Sequence, residues 1–241
     1  MRNKLNTIMT GLPEGMPVTS ARLASAGVYP SLAARYVKSG WLKPLARGIY
    51  QRVGDALELY PTLRLLEAMA PGLHVGGKSA LDWYGIRHYV YQRPILLLYG
   101  WNAFRLPAWF TERFPARYRR KRLFDETPEA MLGVTPYHDR ADGPMVAGPE
   151  RALLELLSEV GVHQPLEEAR QLTESTYTLR HDEVTRLLVA CRSVKTVRLA
   201  LSLGREFGLP WVEKLDPTKL RVGSASRWVA RSKEGLLVLR P

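Results

Sequence analysis

With 241 residues and 27.3 kDa, the chain is long for one compact core and comfortable for two, because single cores stop growing near about 250 residues. Hydrophobic residues at 46% and charged residues at 24% exclude wholesale disorder, no apolar run approaches the roughly 18 residues of a membrane span, and the start lacks the apolar stretch of a secretory leader, so a cytoplasmic location is expected. The net charge of +12 points to a polyanionic partner, and it is concentrated: residues 1–54 hold eight basic side chains against one acidic, a net +7, leaving +5 for the other 187.

Residues 19–27 open on two N-cap side chains, Thr19 and Ser20, place Leu23 and Ala26 three apart and stop at Gly27, the pattern of one short helix. After Val28-Tyr29, Pro30 suits a first helical position, and Leu32, Tyr36 and Val37 share a face before Gly40 closes a second helix. Two helices joined by a short glycine-containing turn form a helix-turn-helix, whose second helix enters the major groove. Its outward positions are Ser31, Ala34, Arg35 and Lys38. Residues 41–45 and 48–52 then read as strands folded back across Ala46-Arg47, a hairpin wing. Lys43, Arg47 and Arg52 on or beside it are placed to reach phosphates, which positions a module without reading sequence. With the start of the first helix included, the candidate DNA contacts are Thr19, Ser20, Arg22, Ser31, Arg35, Lys38, Lys43, Arg47 and Arg52.

Residues 55–59 read as a junction, which divides the chain into 1–57 and 58–241. Leu59, Leu63, Leu66 and Met69 give a helical stripe ending at Pro71-Gly72; a short strand at His74-Val75, a helix from Ser79, an apolar strand over 94–99 and further short strands follow. A second basic run, Arg113, Arg117, Arg119, Arg120, Lys121 and Arg122, interleaves with Phe114 and Tyr118. It reads as a solvated strand or loop, or as a secondary surface in which Arg117, Arg119, Arg120, Lys121 and Arg122 meet flanking phosphates or an acidic partner. Helical spacing returns over 150–160, 167–173, 182–191 and 194–207, and a strand over 236–239 closes the chain. The expected fold class is α+β: an N-terminal winged helix-turn-helix followed by a larger mixed α/β domain with a helical C-terminal portion.

Few residues invite chemistry. The run 72–79 satisfies the phosphate-loop expression G-x-x-x-x-G-K-[ST], with Gly72, Gly77, Lys78 and Ser79 at the fixed positions. Its context is wrong, because a helix rather than a buried strand precedes Gly72 and Leu73-His74-Val75 reads as a strand inside the supposed loop. Cys191 reads as helix filler, the five histidines lack metal-ligand spacing, and Glu150-Arg151 reads as a helix cap with an internal ion pair. No cofactor, metal or catalytic set is expected; a nucleotide hydrolase built on the phosphate-loop match is the enzyme-class alternative.

Several strings of the chain resemble the AbiEi family of antitoxins. In the N-terminal part they are Leu12-Pro13-Glu14-Gly15, Val18-Thr19-Ser20, the run 36–42 and Arg47-Gly48-Ile49-Tyr50. Further landmarks are 74–81, Leu106-Pro107-Ala108-Trp109, 149–156 and 191–195, so the likeness spans nearly the whole chain. The resemblance implies a bacterial type IV toxin-antitoxin system, with an antitoxin that represses its own operon through inverted repeats in the promoter. It also implies a neutralised nucleotidyltransferase toxin of the AbiEii type as partner, with the larger C-terminal domain needed for antitoxin action. The alternative is a winged-helix regulator with a ligand-sensing C-terminal domain and no toxin partner.

Overall fold

The computed structural model describes residues 14–87, 94–224, 226–232 and 235–239. The first 13 residues, which carry Arg2, Lys4, Leu12, Pro13 and the expectation of no leader, lie outside them, as does His88.

The N-terminal unit consists of β1 (Val18–Thr19), α1 (Ser20–Ser25), α2 (Pro30–Lys38), β2 (Leu42–Ala46) and β3 (Ile49–Arg52). Its three strands pair antiparallel in the order β1-β3-β2. Thr19 caps α1 by accepting the Arg22 amide at 3.2 Å, and Gly27, at φ +78°, turns the chain so that the Val28 amide reaches the Leu23 carbonyl at 2.8 Å. Pro30 opens α2. Val18, Leu23, Val28, Ala33 and Leu42 form the small core, with Leu32, Tyr36, Val37 and Tyr50 packed against it. Ala26, expected on the inner face, is exposed, because α1 ends at Ser25 and leaves Leu23 as its buried anchor. The hairpin turn falls one residue later than expected, on Arg47-Gly48: β2 carries an irregularity between Pro44 and Ala46, and Gly48 supplies the positive φ of +73°.

The larger core begins with α3 (Leu59–Met69). Its inner stripe is Thr62, Leu63 and Leu66, continued by buried Ala70 just past its end, while Met69 points to solvent at 44% exposure, a correction to the expected stripe. A mixed sheet runs β6-β5-β4-β8-β7, from β4 (His74–Val75), β5 (Leu96–Gly100), β6 (Ala116–Arg120), β7 (Val134–Pro136) and β8 (Met145–Ala147). The β4–β8 and β5–β6 pairs are parallel and the other two antiparallel. The helices of this core are α4 (Gly77–Trp83), α5 (Ala108–Arg113), α6 (Pro149–Ser158), α7 (Leu166–Glu174), α8 (His181–Ala190), α9 (Val194–Glu206) and α10 (Pro210–Glu213), of which α4 and α6 pack on the sheet. The short helix α5 was not expected; Pro107 starts it and Phe110, fully buried, is its one anchor. A hairpin of β9 (Trp228–Ser232) and β10 (Gly235–Leu239) closes the chain.

Helix α6 is the hub of this core. Every residue from Glu150 to Ser158 is buried, and the helix contacts α4, α7, α8 and α9. A helix buried on all sides must neutralise its charges internally, and this one does, as described below. Among the described residues no helix is long and apolar enough to cross a membrane.

Candidate nucleic-acid interface

The burial of Ala33, Leu32, Tyr36 and Val37 fixes the orientation of α2, and the opposite face presents Ser31, Ala34, Arg35 and Lys38 to solvent. Ser31, Arg35 and Lys38 are spaced by four and three residues, so they stack along one side of the helix. The backbone amide of Ser20 donates to the Gly48 carbonyl at 2.8 Å and its hydroxyl to the same oxygen at 3.3 Å, tying the start of α1 to the wing turn. Arg47 sits exposed at that turn and Lys43 on β2. Among the described residues, the side chains of Arg22, Arg35, Lys38, Lys43 and Arg47 are exposed and have no hydrogen-bond or ion-pair partner.

Arg52 differs. Its guanidinium donates to Glu14 at 2.7 Å and to Asp55 at 3.0 Å, and the Glu14 and Asp55 carboxylates raise its pKa above the ordinary value. It braces the base of the hairpin against the chain on either side. Thr19 and Ser20 likewise use their hydroxyls within the fold. Tyr29 at the start of α2 is 64% exposed and Trp41 just before β2 43% exposed.

The second basic run divides. Arg119 lies 3.5 Å from Glu159, Lys121 is bonded to Glu159 and to Ser158, and Arg122 donates to Asn102 at 3.4 Å with its guanidinium 5.1 Å from the Trp101 ring. Arg117 and Arg120 are exposed and have no such partner among the described residues. Arg113 ends α5 and its Nε donates to the Leu57 carbonyl at 3.5 Å, joining the larger core to the junction.

Residues 1–92 match the family described as "Transcriptional regulator, AbiEi antitoxin N-terminal domain", and residues 93–240 match "Transcriptional regulator, AbiEi antitoxin, Type IV TA system". The chain belongs to the AbiEi antitoxin family. It is similar in fold to the RV2827C protein from Mycobacterium tuberculosis, whose crystal structure matches with a TM-score of 0.58 at 17% identity, covering 94% of this chain and 87% of that one. No curated protein matches the chain.

In this AbiEi chain the phosphate-loop expression has a different explanation. The amide of Gly77, at the N-terminus of α4, donates to Oε2 of Glu155 at 3.0 Å, so a carboxylate from α6 holds the place where a phosphate would sit. Gly77 has a φ of +51°, and a Cβ on Gly76 would collide with Glu155. The paired glycines therefore serve the close approach of the strand-to-helix turn to a buried side chain. Lys78 bonds Glu168 at 2.8 Å.

Glu155 is the centre of a buried ionic network. Oε1 accepts from Nε2 of His74 at 2.8 Å and from Nε of Arg151 at 2.7 Å, and Arg151 also forks onto Glu126 at 2.7 and 2.9 Å. Nδ1 of His74 lies 2.8 Å from the Gly72 carbonyl, so both ring nitrogens face acceptors. Burial alone would raise the Glu155 pKa; the charges of His74 and Arg151 and their hydrogen bonds outweigh it and hold the carboxyl at about 2. Glu150, one turn earlier, accepts from Arg180 at 3.0 Å. Glu150 and Arg151 thus pair with separate partners, and the Gly77 amide, Lys78 and Glu155 make their contacts within the fold.

Proposed function

We propose that this AbiEi chain represses its own operon by binding inverted repeats in the promoter through residues 1–57, and that residues 58–241 carry the neutralisation of a nucleotidyltransferase toxin of the AbiEii type. The observation that carries the reading is the exposed face of α2, unpartnered among the described residues: a helix held by its apolar side against three strands, with Ser31, Arg35 and Lys38 in line on the other. A major-groove helix needs that division. Arg35 can offer a bidentate fork to guanine, while Arg22, Lys43 and Arg47 hold phosphates and Arg52 keeps the wing in place. Arg117 and Arg120 are secondary contacts for phosphate or for the toxin. The chain acts in the cytoplasm, without cofactor, as a regulator rather than an enzyme.

A gel shift of the full chain on its own promoter and on scrambled DNA across salt concentrations tests this. With Arg22, Lys43 and Arg47 on phosphates, the logarithm of the binding constant should fall against that of salt with a slope of about −3 per chain. Absent or salt-insensitive binding refutes the repressor role, and failure of the chain to rescue growth against its operon's toxin refutes the antitoxin role.

A further inference from the structure

The larger core contains a cavity whose interior the regulatory reading leaves without a role, Arg117 at its edge apart. It has a volume of about 500 Å³ and lies between α4, the β5–β6 edge of the sheet, the end of α6 and α7. That volume falls within the range of small-molecule sites. Trp83, Phe114 and Leu172 give it apolar walls. Its charged lining is cationic in balance, five Lys or Arg side chains against three carboxylates. The carboxylates are already engaged: Glu159 by Lys121 and Arg119, Glu168 by Lys78 at 2.8 Å and Gln164 at 2.9 Å, and Asp82 lies 3.9 Å from Arg87.

Arg117 lines the same cavity, exposed and without a hydrogen-bond or ion-pair partner among the described residues. Arg113 lines it too, with its guanidinium 5.7 Å from the Phe114 ring and a carbonyl rather than a carboxylate as its partner. Two guanidinium groups without counter-ions among the described residues, at the edge of an aromatic-walled hollow, will attract a negative charge joined to a flat apolar body. We propose that this cavity binds a small organic carboxylate whose apolar ring lies against Trp83, Phe114 and Leu172 and whose carboxylate meets Arg117 and Arg113. Leu59, the first residue of α3, is also in the wall, which sets the site beside the junction to the DNA-binding unit.

The test uses the full chain and 8-anilinonaphthalene-1-sulfonate, a flat aromatic anion that fluoresces when desolvated. One saturable site is expected, with 2-naphthoate displacing the dye. The neutral analogue N-phenyl-1-naphthylamine should bind about tenfold more weakly, the loss of one charge-assisted hydrogen bond. Arg117→Glu should weaken the dye by at least that factor, with an unchanged far-ultraviolet circular dichroism spectrum, and Arg117→Lys should restore part of the affinity. Equal affinity for the neutral analogue, no effect of Arg117→Glu, unsaturable fluorescence, or displacement by AMP but not by 2-naphthoate would each overturn the proposal.

Discussion

The Glu155 network makes a quantitative demand on stability. A carboxyl held at about 2 in the folded chain, against 4.5 when exposed, contributes about 3 kcal/mol to folding. Because the folded pKa is the depressed one, that contribution is complete above pH 4.5 and is lost as pH falls toward 2. Glu155→Gln removes the charge while keeping the volume, leaving Arg151 only Glu126 as counter-ion and setting an amide between His74 and Arg151. Breaking a buried pair in this way costs about 3 to 5 kcal/mol. Urea unfolding followed by Trp fluorescence, for both proteins at pH 7 and at steps down to pH 3, isolates the effect, since every other carboxylate titrates in both. The gap should be widest at pH 7 and should narrow steadily below pH 4.5. A loss under about 1 kcal/mol at pH 7, or a gap independent of pH, would show that the network does not hold Glu155 charged.

Other consequences of the same geometry are quickly checked. Gly76→Ala drives a Cβ into the Glu155 carboxylate, so it should cost about 3 kcal/mol or more in the same unfolding assay; a cost within error of zero would mean the turn can move away. Lys78→Ala removes a partly exposed pair with Glu168, so stability should change by less than about 1 kcal/mol and growth rescue should persist, whereas loss of rescue together with loss of ATP binding would make the phosphate loop real. Cys191 is fully buried and its thiol is pushed up to about 11; it should ignore Ellman's reagent at pH 8 in the native protein and react fully in denaturant, and rapid native reaction would contradict the packing.

Much of this was legible in the sequence because the elements carry their own boundary signals. Gly27, Pro30 and Gly40 bracket α2, and α6 to α9 fall within about two residues of the spans that apolar spacing marks, while the four-residue α10 was not marked. The Arg47 turn was displaced by one residue because periodicity does not register a β-bulge, whereas Gly48 does register the positive φ. Met69 and α5 show the other limit: a stripe says which residues could face inward, but only the neighbours decide how many do. At the candidate interface, outward positions followed from the buried face of α2. The division of the basic residues did not, because Glu14 and Asp55 close on Arg52, and Glu159 on Arg119 and Lys121, only after folding. The same holds for the phosphate-loop match, whose counter-charge comes from Glu155, 78 residues beyond Gly77.

The most direct test of the account is fluorescence anisotropy of the wild-type chain, Arg35→Ala and Arg47→Ala on labelled promoter DNA and on a scrambled duplex, each at several salt concentrations. Arg35 lies on the outward face of α2 and Arg47 at the wing turn, both without partners among the described residues. Arg35→Ala should cost about 1 to 3 kcal/mol on the promoter and little on the scrambled DNA, collapsing the preference between them. Arg47→Ala should weaken both DNAs about equally and reduce the salt slope by about one unit. Equal losses on both DNAs for Arg35→Ala, with the promoter preference intact, would contradict the placement of α2 in the major groove.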